Sequence, residues 1–369
     1  MTTITIENVS KIYDGKVIGV DDISLMVEDG EFIAFLGPSG CGKTSTLRMI
    51  AGLEEITMGT ISFDGNPINN IPPNHRNIAM AFENYGLYPH MSVYQNIAYP
   101  LKLRKIPAEQ IAREVISIVR LLKIEDFVDE KPNSLSGGVQ QRISLARALV
   151  RKPNVLLLDE PISHLDSELR NQMRGELKRL HALNMTTTVY VTHDQLEALT
   201  MADRVAVMNK GKIRQVGTPK EIFTSPQDQF VATFVGEPPM NILSAKIFQK
   251  GDIVEVKVGE STLATYPVQR AQPLLDEVTK TNFEINVGIR PMDFEIISKA
   301  DEGISFRISL REHLGDNTLY HLYSDIGTVL FLTPRINNFE EGGFLELKPI
   351  HQRIHYFSKA TTMVVNLLN

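Results

Sequence analysis

A glycine-rich segment near the start of the chain carries the most specific chemistry. Residues 37–44 read G-P-S-G-C-G-K-T and follow an apolar run, Phe32 to Leu36, that is typical of a buried strand. Glycines at these spacings let backbone N–H groups point inward, and the helix predicted to begin near Thr44 adds the positive end of its dipole. Lys43 is placed to reach the β- and γ-phosphates, and the Thr44 hydroxyl is placed to ligate Mg²⁺. The segment predicts a nucleoside triphosphate site.

Two adjacent carboxylates follow a second apolar run, Val155 to Leu158. Asp159 is placed to hold the Mg²⁺ shell, and Glu160 is placed to polarise a water for in-line attack on the γ-phosphate. The alternative is a pair of solvated acids that merely end a strand. The predicted phosphate contacts are Gly37, Pro38, Ser39, Gly40, Cys41, Gly42, Lys43, Thr44 and Ser45.

A second glycine turn, Leu135 to Gly138, precedes another helical pattern. The Ser136 hydroxyl and the amides of Gly137 and Gly138 form an anion-facing helix N-terminus. A simple helix cap is the alternative for this segment.

Composition excludes several classes of protein. The chain has 369 residues and a net charge of −6, and its basic residues are scattered, which argues against a nucleic-acid partner. No apolar run approaches the roughly 20 residues needed to cross a bilayer. Residues 1–7 resemble no secretory signal, and the one cysteine is Cys41, so we expect a cytoplasmic protein without disulfides.

Hydrophobic periodicity predicts two domains. Alternating apolar residues in the first thirty positions indicate an antiparallel sheet, and the continuous runs at 155–158 and 189–191 indicate parallel strands covered on both faces. After residue 235 the pattern changes to short alternating segments separated by turns. We therefore predict an α/β domain over residues 1–235 and a small all-β domain, of the oligonucleotide-binding (OB) barrel type, over 236–369.

The motifs occur in the order found in ATP-binding-cassette (ABC) ATPases, which the first 235 residues resemble. Leu135–Gly138 is similar to the family's Leu-Ser-Gly-Gly-Gln signature, although Val139 stands in place of the glutamine. Residues 163–166 resemble the D-loop, and residues 191–194 resemble the switch-histidine segment. The resemblance implies a P-loop NTPase fold with a mixed central sheet, an antiparallel β subdomain and a helical subdomain.

The same resemblance implies several residue roles. Tyr13 would stack on adenine, His193 would bond the γ-phosphate and hold Glu160 and the water in register, and Asp166 would contact nucleotide. Two cassettes of this family face head to tail, so that the signature loop of one subunit, Ser136 included, completes the ATP site of the other. A dimer using ATP and Mg²⁺ is implied.

Residues 77–93 resemble one subfamily more closely, the ATPase subunits of carbohydrate importers of the maltose type. Residues 288–291 and 312–316 resemble parts of that subfamily's C-terminal regulatory domain, a TOBE-type OB-like barrel. The resemblance implies a peripheral protein at the cytoplasmic face of the membrane, two transmembrane permease subunits and, indirectly, an extracytoplasmic solute-binding protein. The solute, a sugar, a polyol or a glycerol-like compound, is left open.

Two departures from the family pattern bear on turnover. Glu83 stands where the family has a glutamine that touches Mg²⁺ and the attacking water, so a carboxylate would add negative charge near the γ-phosphate. Val139 removes an amide from the signature. These departures suggest pairing with a second, non-identical ATPase. The alternatives are a low-activity ATP-sensing partner of such an ATPase and a soluble ABC ATPase acting on nucleic acid or ribosomes.

Overall fold

The computed structural model describes residues 2–82, 84–279, 281–297 and 303–368. Contacts divide the chain into two compact units, Met1–Ile222 and Phe223–Asn369. This division lies before the domain boundary that the sequence predicts after residue 235, because the segment 223–235 packs with the second unit. Glu83, a predicted Mg²⁺ ligand, lies outside the described residues.

The first unit combines an antiparallel sheet with a mixed sheet, as the sequence predicts. Its strands are β1 (Ile4–Tyr13), β2 (Val17–Val27), β3 (Phe32–Leu36), β4 (Met58–Phe63), β5 (Asn66–Pro67), β6 (Ile78–Ala81), β7 (Val155–Asp159), β8 (Thr187–Thr192), β9 (Arg204–Asn209) and β10 (Lys212–Gly217). The four-stranded antiparallel sheet has the order β2-β1-β4-β5, and the six-stranded sheet has the order β10-β9-β3-β8-β7-β6. Within the larger sheet β10 is antiparallel to β9, and the other pairs are parallel.

Helices cover the mixed sheet and form a helical subdomain. They are α1 (Lys43–Ala51), α2 (Val93–Leu103), α3 (Ala108–Leu121), α4 (Gly137–Leu149), α5 (Ser167–Asn184), α6 (Gln195–Met201) and α7 (Pro219–Thr224). In α3 the apolar stripe predicted from its helical spacing, including Ile111, Val115 and Val119, is buried. Helix α2 packs against both α3 and α4.

Three neighbouring parallel strands set the position of the site. Every residue of β3, β7 and β8 is buried, which explains why these segments are apolar without alternation. Strand β8 lies between β3 and β7, and all three run in one direction. Their carboxyl ends, at Leu36, Asp159 and Thr192, therefore meet at one edge of the sheet, which is where α/β proteins place their ligand sites.

The second unit, over its described residues, consists mainly of β-strands with two short α-helices. It contains α8 (Gln229–Phe234), β11 (Asn241–Lys250), β12 (Ile253–Val258), β13 (Ser261–Pro267), α9 (Val268–Val278), β14 (Glu284–Ile289), β15 (Phe294–Ile296), β16 (Ile304–Leu314), β17 (Asn317–Ser324), β18 (Gly327–Pro334), β19 (Phe344–Pro349) and β20 (His355–Phe357). Two antiparallel five-stranded sheets, β13-β12-β11-β14-β20 and β15-β19-β16-β17-β18, share one apolar core that includes Val256, Val287, Phe306 and Leu347. These sheets confirm the predicted C-terminal β domain.

A buried arginine joins the segment 223–235 to this domain. The guanidinium of Arg290 donates to the carbonyl of Phe223 at 2.6 and 3.1 Å and to that of Val235 at 2.8 Å. It also lies 3.8 Å from the centre of the Phe223 ring, a cation–π contact. Burial lowers the pKa of Arg290 to about 10, so it stays charged at neutral pH.

We expect Arg290→Met to destabilise the second unit selectively. The substitution leaves the carbonyls of Phe223 and Val235 without a hydrogen-bond donor in a buried environment. We expect this loss to lower the free energy of unfolding by about 2–4 kcal/mol. Urea unfolding followed by circular dichroism measures the change. Arg335→Met is the control, because Arg335 is an exposed arginine of the same unit, so its loss should leave the transition nearly unchanged. Equal shifts in both variants would contradict the assignment.

Candidate active site

The phosphate loop connects β3 to α1, and its glycines are required by close contacts. A Cβ on Gly37 would lie 2.3 Å from the carbonyl oxygen of Met208. A Cβ on Gly42, where φ is +105°, would lie 2.5 Å from the carbonyl oxygen of Gly19. Both distances are shorter than any side chain tolerates, so the loop holds its curled backbone only with glycine at these positions.

Lys43 places a charge inside this loop. Its ammonium donates to the carbonyls of Gly37 at 2.7 Å and Pro38 at 3.0 Å, and the residue is only 5% exposed. An ammonium held by neutral carbonyls has unused capacity for an anion, because its positive charge is not neutralised. Lys43 is also the first residue of α1, whose N-terminal amides attract negative charge. This arrangement fits a phosphate group.

Thr44 and Asp159 bring two oxygens of the kind that Mg²⁺ prefers to one point. The Thr44 hydroxyl donates to Oδ1 of Asp159 at 3.1 Å, and Asp159 is buried at the end of β7. Among the described residues no group of three or more His, Cys, Asp or Glu forms a complete metal cage. Mg²⁺ is typically held by one or two protein ligands together with substrate phosphates and water. The pair therefore fits a nucleotide-bound Mg²⁺.

Glu160 and His193 form an acid–imidazole pair beside the loop. Nδ1 of His193 lies 3.0 Å from Oε2 of Glu160, with the imidazole more than half exposed and the carboxylate mostly covered. Glu160 has φ of +47°, a left-handed conformation that a non-glycine residue rarely adopts. Its N–H donates to the carbonyl of Val191 at 3.0 Å, which ties the strained residue to β8. Such strain is concentrated at functional positions.

Buried Gln141 fixes the backbone of Glu160, a role that the motifs in the sequence do not predict. Nε2 of Gln141 donates to the carbonyl of Glu160 at 2.9 Å, and Oε1 accepts from the N–H of His164 at 3.1 Å. Gln141 lies on α4 and is 1% exposed. A glutamine on the apolar face of a predicted helix was the available signal, since buried amides need partners. Gln141 thus links the signature helix to Glu160 and the D-loop.

The segment carrying His193 is braced by a second set of contacts that the sequence did not reveal. Buried Glu197 accepts from the hydroxyls of Tyr190 at 2.8 Å and Thr192 at 2.7 Å, and burial raises its pKa. Asp194 lies 3.7 Å from the guanidinium of Arg170, which donates to two carbonyls of the D-loop. The switch segment and the D-loop are therefore connected within one subunit.

The signature turn points outward. Ser136 and Gly137 are exposed, and the Ser136 hydroxyl makes no capping hydrogen bond to α4. Val139 is buried, so the departure from the family signature replaces an amide with core packing. Asp166 caps α5, where its carboxylate accepts from the N–H of Leu169 at 2.9 Å. The nucleotide contacts assigned to Ser136, Gly137, Gly138 and Asp166 stay predictions.

Tyr13, at the end of β1, lies beside the phosphate loop. Its hydroxyl lies 2.9 Å from Oγ of Ser45, another predicted nucleotide contact. A Cβ on Gly19 would lie 2.6 Å from the Tyr13 ring, so the ring rests against the backbone of β2. The ammonium of Lys11 lies 4.9 Å from the ring centre. The ring is thus fixed next to the loop, and its stacking on adenine stays a prediction.

Comparisons with known proteins agree with this geometry. The family model described as ABC transporter matches residues 20–163. The chain is 43% identical to the oligosaccharides import ATP-binding protein MsmX of Bacillus subtilis, over 98% of this chain and 99% of that protein. It is also 43% identical to the trehalose/maltose import ATP-binding protein MalK of Thermococcus litoralis, with the same coverage. The sn-glycerol-3-phosphate import ATP-binding protein UgpC of Rhizobium meliloti is 47% identical over 84% of this chain and 83% of its own length.

Solved structures resemble the first unit. A dimeric bacterial ABC transporter cassette superposes with a TM-score of 0.56 at 28% identity and covers 58% of this chain and 98% of its own. A second structure of that cassette, in a post-hydrolysis state bound to ADP and phosphate, gives a TM-score of 0.55 at 28% identity, with the same coverage.

We expect Gln141→Leu to lower the kcat of MgATP hydrolysis by about tenfold or more, because the backbone carbonyl of Glu160 loses the hydrogen bond that fixes the position of this residue. The KM for ATP should change little, since the phosphate loop is untouched. Steady-state phosphate release measures both constants. Gln140→Leu is the matched control, because Gln140 donates at 2.9 Å only to Leu135, the residue before its own helix cap. A parent-like kcat in Gln141→Leu would remove the positioning role.

Proposed function

This chain belongs to the ABC transporter family, and we propose that it is the ATP-hydrolysing subunit of an importer for a sugar, a polyol or a glycerol-like solute. The observation that carries the proposal is the pairing of Glu160 with His193 at 3.0 Å on the sheet edge that also bears Lys43 and the Thr44–Asp159 pair. Two import ATP-binding proteins are 43% identical to this chain over 98% of its length. That similarity supports the importer class over the alternative of a soluble ATPase acting on nucleic acid or ribosomes.

Each residue has a distinct part in hydrolysis. The loop amides and Lys43 bind the phosphates and neutralise charge that develops on the γ-phosphoryl group. Thr44 and Asp159 would hold Mg²⁺, which supplies Lewis-acid stabilisation of the phosphate oxygens when bound. The carboxylate of Glu160 accepts a hydrogen bond from the attacking water. His193 contacts both that carboxylate and the γ-phosphate and so fixes their relative positions.

A second ATPase subunit is part of the proposal. The donors of the signature turn, Ser136 with the Gly137 and Gly138 amides, open to solvent at a helix N-terminus. Such donors suit a phosphate presented by another cassette. If the partner is a second copy of this chain, the two composite sites are identical. If the partner is a paralogue, the two sites differ.

An apolar groove in the first unit suits a membrane partner. It encloses about 310 Å³ between α2, α4 and β6. The residues that line it are Ala51, Leu53, Pro73, Asn74, Ile78, Ala79, Met80, Phe82, Tyr88, Tyr99, Pro100, Leu103, Arg147, Ala148 and Arg151. Leu53 and Leu103 are about half exposed or more, and Arg147 lies 5.3 Å from the Tyr88 ring centre. We propose that a short helix of each transmembrane permease subunit docks here.

In the part of the chain that the structure describes, no helix is long and apolar enough to cross a membrane. The proposed arrangement is a peripheral subunit at the cytoplasmic face, attached to two permease subunits. Closure of the ATPase pair on ATP and its reopening after hydrolysis would move those subunits. An extracytoplasmic solute-binding protein would deliver the solute from the other side.

Glu160→Gln tests the hydrolytic mechanism. We expect this variant to retain MgATP binding and to lose turnover by about 10³-fold or more, because the amide cannot polarise the water. Lys43→Ala should instead lose nucleotide affinity, measured by calorimetry. Glu176→Gln is the control, since Glu176 is a partly exposed residue of α5 that pairs with Arg179 on the same helix. An unchanged rate in Glu160→Gln would exclude Glu160 as the general base.

Leu53→Glu tests the membrane partner. A carboxylate in the apolar groove should abolish co-purification of the permease subunits from membranes, because it cannot be desolvated there, while ATP binding persists. Leu183→Glu, at an exposed leucine of α5 away from the groove, should leave co-purification intact. Mass spectrometry of the parent complex identifies the spanning subunits and counts copies of this chain. Retention of the same subunits by Leu53→Glu would place docking elsewhere.

A further inference from the structure

The second unit contains a cleft that the hydrolytic site does not use. It encloses about 530 Å³ and lies between the turn that joins β12 to β13 and the turn that joins β17 to β18, over the outer face of β16. Clefts that bind small molecules are commonly about 300–1,000 Å³. The cleft is therefore of a size to hold a ligand of two or three sugar rings.

The floor of the cleft carries an aromatic–arginine–aromatic row. Arg307 of β16 lies directly opposite Tyr323 of β17 on one side and Phe344 of β19 on the other. Directly paired residues of antiparallel strands point to the same face, and adjacent strands are about 4.8 Å apart. Tyr323 is 59% exposed and Phe344 is 70% exposed, so both rings face solvent and do not pack in the domain core.

Polar groups surround this row. Glu260 lies on one turn, with Ser261 at the start of β13, Asp325 lies on the other turn, and Ser305 lies on β16. In the described ranges of the chain, the side chains of Arg307, Glu260 and Asp325 make no hydrogen bond or ion pair with protein groups. One guanidinium, two carboxylates and two hydroxyls are thus available to a ligand.

The two turns that wall the cleft touch each other. A Cβ on Gly259, where φ is +56°, would lie 3.1 Å from a methyl carbon of Ile326. Ile304, at the base of the cleft, is buried in the shared core of the two sheets. The walls are therefore set by packing before any ligand arrives, which lowers the entropic cost of binding.

We propose that this cleft binds a neutral oligosaccharide. Exposed ring faces cover the apolar C–H faces of sugar rings, while carboxylates and a guanidinium pair with the hydroxyls at their edges. Two carboxylates against one guanidinium leave a local charge of −1, which disfavours phosphorylated sugars and glycerol phosphates. The residues that line the cleft are not among those proposed to bind ATP, so its occupancy can be measured in the absence of nucleotide.

The test uses the full-length protein without nucleotide and maltotriose as the probe. Saturation-transfer difference NMR and equilibrium dialysis should detect binding with a Kd of about 1 mM or tighter. Tyr323→Ala and Arg307→Ala should weaken binding by about tenfold or more, because the ring and the charged donor are lost. sn-Glycerol 3-phosphate should give no signal with the parent protein.

Phe248→Ala is the matched control. Phe248 is also an exposed aromatic residue beside a cation, with the Lys257 ammonium 5.9 Å from its ring centre, but it lies on β11 outside the cleft. This variant should bind maltotriose as the parent does. All variants should keep the parental melting temperature and ATPase rate, which separates this proposal from the proposed function.

Two results would overturn the proposal. The first is no detectable maltotriose binding by the parent, or equal binding by the parent, Tyr323→Ala and Arg307→Ala. The second is a change of oligomeric state in the cleft variants, seen by sedimentation velocity without any saccharide binding, which would assign the cleft to an interface between copies of this chain.

Discussion

The adjacency of three parallel strands is the constraint on which the rest of the structure depends. Because β8 lies between β3 and β7 and all three run in one direction, the segments that follow them must emerge side by side. The phosphate loop, Glu160 and His193 are those three segments. Residues more than a hundred positions apart in the chain thereby meet within hydrogen-bond distance, as the contact between Thr44 and Asp159 records.

This convergence concentrates charge and strain at one edge, and buried polar contacts on the protein side balance it. The Lys43 ammonium is held by loop carbonyls, and the left-handed Glu160 is fixed through its N–H to β8 and through its carbonyl to Gln141. Buried polar groups are costly without partners, so each bond also disfavours alternative positions of the catalytic segments. These contacts fix the site from the side of β8 and α4. The signature turn of the same chain is exposed, which fits the proposed role of that turn in the site of a second subunit.

The strands of the two units are buried in different ways. In the first unit apolar strands are covered on both faces, and function lies at the strand ends. In the second unit the strands alternate, so one face of each sheet is buried and the other is available to solvent or ligand. Exposed aromatic residues such as Tyr323 and Phe344 stand on that outer face, where packing does not demand them. The Arg290 network shows that the second unit also includes chain that the sequence pattern grouped with the first.

The sequence by itself determined the loop, the two acids after β7 and the alternation of strands and helices, because those features depend on spacing within a few residues. It also indicated the family, since the motifs occur in a specific order. Only the tertiary structure decided that Gln141 holds Glu160, that Arg170 joins the D-loop to the switch segment and that Tyr13 meets Ser45. Those contacts join segments far apart in the chain, and their partners are backbone groups or polar side chains that carry no local pattern. The physical reason is that burial and hydrogen-bond pairing are properties of the packed fold.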